Sequence, residues 1–194
     1  MTDDFDWLAL QRTAHAEFGR RVAAVSDWTA PTPDTEWDVR ALVSHVIEEQ
    51  QWVPYLLDGQ TLEQAERQIE PLRDDLKGEW ELYSFSASAA WRHTPGDHRV
   101  HLTYDTVDVA QYLREQVADV TIHTWDLARA IGADEHLDDE LVRAVWGVFE
   151  PQRDTLAATG LYAPPVAVDD ASPLQDRLIA VTGRDPRPAT PRAA

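Results

Sequence analysis

The chain has 194 residues, 43% of them apolar and eight of them tryptophan, so it can bury a substantial core as one domain. With 35 acidic against 17 basic residues its formal net charge is -18, which disfavours nucleic acid and membrane surfaces as partners. The absence of cysteine excludes disulfides, thiolate metal sites and a cysteine nucleophile. Because the chain starts acidic and charge interrupts its apolar runs, we expect a soluble, cytoplasmic protein.

Seven segments are predicted to be helical, most of them because apolar residues recur at three- and four-residue steps, as one buried helical face requires. Asp38 can cap the second helix, and Gly59 and Gly132 suit the ends of the second and fifth helices. The predicted helices span 3–25, 38–57, 61–69, 72–91, 107–131, 138–158 and 172–181.

The connections between these helices are rich in proline, glycine and polar residues. The stretch from Arg99 to Tyr104 alternates polar with apolar side chains, which predicts one extended segment and no sheet. A proline-rich linker is expected over 163–168, and the tail from about Pro186 is expected to be frayed. We therefore expect an all-α bundle over residues 1–160 and a C-terminal extension over 161–194 that packs on it.

The most informative motif is an aspartate and a histidine four residues apart, Asp119 and His123, in the predicted fifth helix. Residues at this spacing share one helical face. His45 lies in the second helix, so two helices can bring two imidazole nitrogens and one carboxylate oxygen to one point, a set that suits zinc, nickel or ferrous iron. The alternative is that the histidines are hydrogen-bonded core residues and that the Asp-x-x-x-His pair only stabilises its helix.

Three segments carry a family resemblance: Trp37-Asp-Val-Arg-Ala-Leu-Val-Ser-His45, Asp119-x-x-x-His123-Thr-Trp-Asp-Leu-Ala and Asp176-Arg-Leu-Ile-Ala-Val-Thr-Gly-Arg-Asp-Pro186. In their order and spacing the chain resembles the DinB-like, mycothiol-dependent maleylpyruvate isomerase superfamily over almost its whole length, and its actinobacterial metal-binding branch most of all. The resemblance implies an antiparallel four-helix bundle with short extra helices and a divalent metal, usually zinc, at one end. The metal ligands that it implies here are His45, Asp119 and His123.

One position departs from the superfamily pattern, which has glutamate where this chain has Asp119. The aspartate arm is one methylene shorter, so either the helices sit closer together or the carboxylate reaches the metal through water. Glu115, one turn earlier, is a reserve for the carboxylate role. No chemistry is assigned to the remaining histidines, although the first of them could line the bundle interior. They are His15, His93, His98, His101 and His136.

Four further residues lie close to the implied ligands in the sequence. Asp126 could accept a hydrogen bond from a ligand imidazole or from bound water, or it could be a buried structural acceptor. Glu49, one turn after His45, could take a proton near the metal or be a solvated helix position. Asp126 and Glu49 are thus weak candidates for catalysis, while Trp37 and Trp125 are expected to wall the pocket.

The resemblance implies chemistry with a low-molecular-weight thiol, often mycothiol. In the superfamily, isomerases add such a thiol to a cis double bond, allow rotation and expel it, whereas transferases keep the thioether. A metal with an open position lowers the pKa of a bound thiol. The leading hypothesis is a metal-dependent thiol transferase or isomerase acting on a small electrophile. The alternatives are a non-catalytic metal-containing bundle that binds a small molecule or a protein, and a metal-assisted hydrolase.

The expected partners are a small-molecule thiol such as mycothiol and a small electrophile, without nucleic acid or membrane. A homodimer is compatible with an amphipathic bundle rich in tryptophan, although no charge pattern marks a dimer face. Zinc is the expected metal, with nickel and iron as alternatives. The sequence does not identify the electrophile.

Overall fold

The computed structural model describes residues 5–34, 36–160 and 162–187. The chain divides into two compact units, Met1–Leu141 and Val142–Ala194. The described residues are mostly helical, as predicted, and none of their helices is long and apolar enough to cross a membrane. In chain order the elements are α1 (Trp7–Ala24), α2 (Val39–Leu57), α3 (Leu62–Glu66), α4 (Leu76–His93), β1 (Arg99–His101), β2 (Thr106–Asp108), α5 (Val109–Ile131), α6 (Asp139–Phe149), the 3-10 turns Glu150–Gln152 and Leu156–Thr159, and α7 (Leu174–Val181).

The long helices α1, α2, α4 and α5 all begin at an aspartate whose carboxylate accepts a hydrogen bond from a backbone N–H of the first turn. Each such cap stabilises its helix by about 1 kcal/mol. The predicted cap at Asp38 is confirmed, and α5 ends as predicted at Gly132, which has the left-handed φ of 65°. The capping aspartates are Asp6, Asp38, Asp75 and Asp108.

These four helices form a bundle in which α1 and α2 each pack against both α4 and α5. Gln11 donates a hydrogen bond to Ser88, and Phe18 packs on Trp80 with ring centroids 4.7 Å apart. Both contacts pair the start of one helix with the end of the other, so α1 and α4 run antiparallel. Fully burying a side chain such as Phe18 contributes about 1.5–3 kcal/mol, and contacts of this kind hold the bundle together.

The helices α2 and α5 also run antiparallel. Gln50 donates a hydrogen bond to Gln116, while the imidazole of His45, one turn nearer the start of α2, lies beside that of His123, nearer the end of α5. Apolar side chains on α2 and α5 are almost completely buried in the bundle, and their close packing holds both helices in place. These core residues include Leu42, Val43, Val46, Ile47, Val120 and Leu127.

The prediction of a single extended segment was wrong, because Arg99–His101 pairs with Thr106–Asp108 in an antiparallel hairpin. Val100 lies opposite Val107, and both are buried. The helical spacing had included Val107 in the fifth helix, but Asp108 caps that helix and Val109 is its first residue. A three-residue strand is too short for its periodicity to be separated from that of an adjoining helix.

Other helix bounds also differ from the prediction. The helix α1 begins at Trp7, because Asp6 caps it, and α3 ends at Glu66 and not at residue 69. The helix α4 begins at Leu76 and not at Leu72, because Asp75 caps it. The helix α6 ends at Phe149, before Pro151, and the chain continues as 3-10 turns. Proline lacks the N–H that a continuing helix needs, so the prediction of one helix to residue 158 was wrong.

Within Val142–Ala194, α7 covers eight residues of the predicted terminal helix. The Arg177 guanidinium lies over the Trp146 ring, 4.6 Å from its centroid. The linker over 163–168 lies outside helices and strands, as predicted. The predicted boundary between bundle and extension at residues 160 and 161 stays a prediction. Beyond Arg187 the predicted frayed tail lies outside the described residues.

Candidate metal centre

Two helices bring together the three side chains that were predicted to meet. His45 lies in the second turn of α2, while Asp119 and His123 lie one turn apart on α5. One ligand atom from each side chain lies within 4.8 Å of the other two. In the described parts of the chain, no other group of three or more histidine and carboxylate side chains has this geometry.

The Asp119 carboxylate lies between the two imidazoles. Its Oδ1 is 3.4 Å from His123 Nε2 and 3.8 Å from His45 Nε2, and the two imidazole planes are inclined at 77°. Its other oxygen, Oδ2, is buried without a hydrogen-bond partner among the described residues. A buried carboxylate oxygen without a donor costs desolvation free energy. A cation bound here would offset that cost, which the surrounding side chains do not.

The pKa values of the cluster show how strongly these groups interact. Burial alone would raise the pKa of Asp119, but His123 and His45 outweigh burial and hold that pKa well below its usual range. Burial would lower the pKa of His123, yet Asp119 and then Asp126 raise it to about 9. Burial also opposes charge on His45, and Asp119 again raises the pKa. The cluster therefore favours positive charge beside Asp119. Protons and a metal cation compete to supply that charge, because both bind the same imidazole nitrogens.

The residues present fit a divalent cation held by His45, Asp119 and His123. Two imidazoles and a carboxylate suit zinc, nickel and iron, and three protein ligands leave a position for water or substrate. The His123 side chain is 8% exposed, whereas those of His45 and Asp119 are 31% and 28% exposed. The ligand set is thus accessible to solvent on the side of His45 and Asp119.

Asp126 contacts the most buried of the three side chains. It is itself fully buried, and its Oδ2 accepts a hydrogen bond from His123 Nδ1 at 3.2 Å. When neutral His123 donates from Nδ1, the lone pair of Nε2 faces Asp119 and can bind a cation. The sequence suggested Asp126 as an acceptor for a ligand imidazole, and the structure brings the two together.

The two tryptophans proposed as pocket walls lie in different surroundings. The Trp37 ring is 4.6 Å from the His45 ring and 5.6 Å from the His123 ring, measured between centroids, so it covers one side of the cluster. Trp125 is almost fully buried, and the Arg129 guanidinium lies 4.4 Å from its ring centroid. Among the aromatic contacts of the described residues, none joins Trp125 to His45 or His123.

The reserve carboxylate Glu115 lies outside the ligand group. Its two oxygens are each 2.7 Å from the hydroxyl of Tyr104, which donates to the carboxylate, and Gln111 donates to Oε1 at 3.0 Å. Asp119 is therefore the carboxylate that α5 places between the histidines. Glu115 lies one helical turn before Asp119 and contacts Tyr104, whereas Asp119 contacts the two histidines.

Glu49 lies one turn after His45 and is half-buried. Gln116 Nε2 donates a hydrogen bond to Glu49 Oε2 at 3.2 Å, and Gln50 Nε2 donates to Gln116 Oε1 at 3.0 Å. Sequence reasoning did not identify the two glutamines as part of the site's surroundings. The available signal was Gln116 itself, a polar residue within the apolar stripe of α5.

A separate cavity of about 270 Å³ lies between α1 and α4. None of the three ligand residues lines it, and it is therefore distinct from the candidate metal centre. Its lining includes His15, Gly19, Lys77, Trp80 and Ser84.

The fold and the site together define a helical-bundle protein with a two-histidine, one-carboxylate donor set. The family model of the mycothiol maleylpyruvate isomerase N-terminal domain matches residues 11–128, which include all three side chains of that set. The chain belongs to this family, and hence to the DinB-like, mycothiol isomerase superfamily. Among curated proteins, none matches the chain by sequence.

Two solved structures of a mycothiol-dependent maleylpyruvate isomerase, one of them a histidine-to-alanine variant, are similar to the chain. Their TM-scores are 0.57 and 0.58, each at 20% sequence identity. In both cases the match covers 72% of this chain and 66% of the isomerase chain. At this identity the likeness shows a shared fold, which confirms the predicted bundle class.

Proposed function

We propose that the protein is a metal-dependent enzyme that uses a low-molecular-weight thiol, mycothiol or a relative, as a nucleophile toward a small electrophile, acting as a transferase or an isomerase. One observation carries the proposal: three ligand atoms lie within 4.8 Å of one another, accessible to solvent, in a chain of this family. The similarity to a mycothiol-dependent isomerase supports the choice of a thiol and leaves the electrophile open.

In this proposal each side chain of the site has a role. His45, Asp119 and His123 hold the cation, for which zinc is the first choice. Asp126 keeps the proton of His123 on Nδ1, so that Nε2 binds. A divalent cation held here would lower the pKa of a thiol and make thiolate available near neutral pH.

The remaining roles concern the proton and the substrate. Burial, and then the nearby Asp119 carboxylate, raise the pKa of Glu49, which makes it a better proton acceptor than an exposed glutamate. We propose that a Glu49 oxygen takes the thiol proton while the sulfur adds to one carbon of a double bond, whose π electron pair moves to the other carbon and the group conjugated with it. In a transferase that carbon then takes the proton from Glu49 and the carbon–sulfur bond stays. In an isomerase the electron pair re-forms the double bond after rotation, and the sulfur leaves and takes the proton back. Trp37 would limit access of water from its side of the cluster.

Metal content tests the site directly. The purified protein is expected to contain about one divalent cation per chain, consistent with a three-ligand site, and His45→Ala and His123→Ala should each lose it. The same substitution at the exposed His93 is the matched control and should retain the metal. Stoichiometric metal in both His45→Ala and His123→Ala would refute the ligand assignment.

Activity tests the chemistry. Metal-loaded protein is incubated with mycothiol and a panel of small electrophiles, with and without the thiol, and products are identified by mass spectrometry. Thiol adducts or isomerised products that require the thiol support the proposal. Products formed without thiol would instead indicate metal-assisted hydrolysis, and no product with any electrophile would indicate a metal-containing binding protein.

A further inference from the structure

A second polar layer lies one helical turn from the candidate ligands. Gln116 donates to the Glu49 carboxylate and in turn accepts a hydrogen bond from Gln50. Gln50 is fully buried and Gln116 is 7% exposed. The Glu49 carboxylate is therefore held by a buried amide pair and is not free to move as an exposed glutamate would be.

Helix geometry places this carboxylate beside the ligand set. Glu49 follows His45 by four residues on α2, and Gln116 precedes Asp119 by three on α5, so each shares a helix face with a candidate ligand. The groups also interact electrostatically. After burial, the Asp119 carboxylate is the largest influence that raises the pKa of Glu49, while His45 acts in the opposite direction.

The charge of the site depends on this further carboxylate. Asp119 and Asp126, which accepts a hydrogen bond from His123, together balance the two charges of a divalent cation bound with neutral histidines. The Glu49 carboxylate would then give the site one net negative charge, which repels anions. Neither Asp119 nor Glu49 forms an ion pair with a lysine or arginine within the described residues. At partly buried sites such a change in charge is screened less than at the open surface.

We propose that Glu49, held in place by Gln116 and Gln50, sets the ligand selectivity of the metal site: it admits neutral molecules, including protonated thiols and uncharged electrophiles, and disfavours anions such as carboxylates. This inference rests on the metal site of the proposed function. It narrows the substrate to an uncharged electrophile.

The test measures ligand binding to the full-length protein loaded with Co²⁺, whose visible absorption changes when a ligand enters the open position. The two probes are azide, which is anionic, and imidazole, which is uncharged at slightly alkaline pH. In Glu49→Gln, azide affinity is expected to rise about tenfold, as removal of a unit charge that interacts with the ligand set predicts at an intermediate effective dielectric. Imidazole affinity should stay within about twofold, because a neutral probe does not sense that charge.

The matched control is Glu48→Gln, which removes the same charge from the neighbouring exposed residue of α2. Its azide affinity should change by less than about twofold, since solvent screens the exposed charge. If Glu49→Gln leaves azide affinity at the wild-type value, or if azide binds neither protein, Glu49 is not the barrier and the inference is wrong. Equal changes for azide and imidazole would also overturn it, because they would indicate an altered pocket and not a charge effect.

A second variant tests the part played by the amide pair. Replacing Gln50 and Gln116 together by methionine removes both amides of the pair. Neither amide is then left in the core without the other as its partner. Glu49 is then free to move toward solvent, and azide affinity should rise to a value between those of wild type and Glu49→Gln. An unchanged azide affinity would show that the amides do not position Glu49. Failure of the wild-type chain to bind Co²⁺ would refute the proposed metal site itself, whereas bound Co²⁺ without the selectivity change refutes this inference alone.

Discussion

Two histidines in the same bundle are almost equally buried, yet their pKa values are shifted in opposite directions. His123 is 7% exposed and His15 is 8% exposed. Burial lowers the pKa of His15 to about 4, against a weaker opposing effect of Gln50. Burial acts in the same direction on His123, but Asp119 overcomes it and raises the pKa to about 9. Burial alone therefore does not make a histidine a cation site.

The partners of each ring account for the difference. Gln11 Nε2 lies 3.0 Å from His15 Nδ1, and Ser88 Oγ lies 3.3 Å from the same atom, so this amide–histidine cluster of Gln11, His15 and Ser88 contains no carboxylate. The carboxylate–histidine cluster consists of His45, Asp119, His123 and Asp126. Neutral partners satisfy a neutral imidazole. Carboxylates instead favour an imidazole that has bound a positive charge, either a proton or a metal ion.

The largest effect on metal affinity is expected at Asp119, because the amide–histidine cluster has no carboxylate in the corresponding role. Asp119→Ala should weaken metal binding at least about a thousandfold, beyond the 10–100-fold that supporting residues cost. Asp119→Glu restores the arm length of the superfamily pattern and should remain within about tenfold of wild type. Affinities are measured by competition with a chromogenic chelator.

The matched control for that experiment is Glu115→Ala, which removes a carboxylate from the same helix one turn earlier. Its contact with Tyr104 places it outside the ligand group, and metal affinity should stay at the wild-type value. Loss of metal in Glu115→Ala with retention in Asp119→Ala would exchange the roles of the two carboxylates.

The amide–histidine cluster should make the free energy of unfolding depend on pH in the acidic range, through His15. The folded protein keeps His15 neutral down to about pH 4, while the unfolded chain takes up the proton near 6.5. Between these values the unfolded state binds more protons, so stability falls as the pH is lowered, by about 3 kcal/mol in total. The measurement is urea unfolding of the metal-free protein and of His15→Gln across this range. Subtracting the free energy of unfolding of the variant from that of the wild type removes the contribution of all other titrating groups. A difference that does not change with pH would contradict the prediction.

The hydrogen bond from His123 to Asp126 should have a smaller effect than loss of a ligand. Asp126→Asn keeps the size of the side chain but removes the charge that fixes the ring, and metal affinity should fall about 10–100-fold. Asp97→Asn makes the same change at an exposed position and should leave the affinity unchanged. Wild-type affinity in folded Asp126→Asn would show that the ring needs no carboxylate to hold its orientation.

Features that depend on local sequence were predictable. The cap at Asp38 and the end of α5 at Gly132 follow from side-chain chemistry and φ preference, and the shared face of Asp119 and His123 follows from helix geometry. Their meeting with His45 was predicted from the family resemblance, and the structure brings the three together. That they hold a metal stays a prediction.

Features decided by tertiary contact were not predictable. Spacing alone could not choose between Asp119 and Glu115, because both lie on one helical face. In the structure Glu115 accepts a hydrogen bond from Tyr104, whereas Asp119 lies between the two histidines. The strand Thr106–Asp108 is defined by its partner across the hairpin. Gln116 is a polar residue within the apolar stripe of α5, and its partner Glu49 lies on another helix, which spacing along α5 does not reveal.

The smallest expected effect lies in the amide–histidine cluster, at a hydroxyl. Ser88 Oγ accepts a hydrogen bond from Gln11 Nε2 at 3.0 Å and lies 3.3 Å from His15 Nδ1, so Ser88→Ala removes both contacts while Gln11 and His15 keep each other as partners. Unfolding stability should fall by about 1 kcal/mol, because the shorter bond contributes the usual value for one neutral hydrogen bond and the longer contact adds less. Metal affinity should not change.

Ser86→Ala on the same helix is the matched control, because it gains the same helix propensity without removing this bond. The difference in stability between the two variants isolates the hydrogen-bonding contacts of the Ser88 hydroxyl. Hydrogen bonds to charged groups are roughly twice as strong as neutral ones, so a single deletion should cost less here than at Asp126. A loss of metal in Ser88→Ala would mean that the two clusters are coupled through the bundle, and that the contrast between neutral and charged partners does not by itself determine which histidine binds a cation.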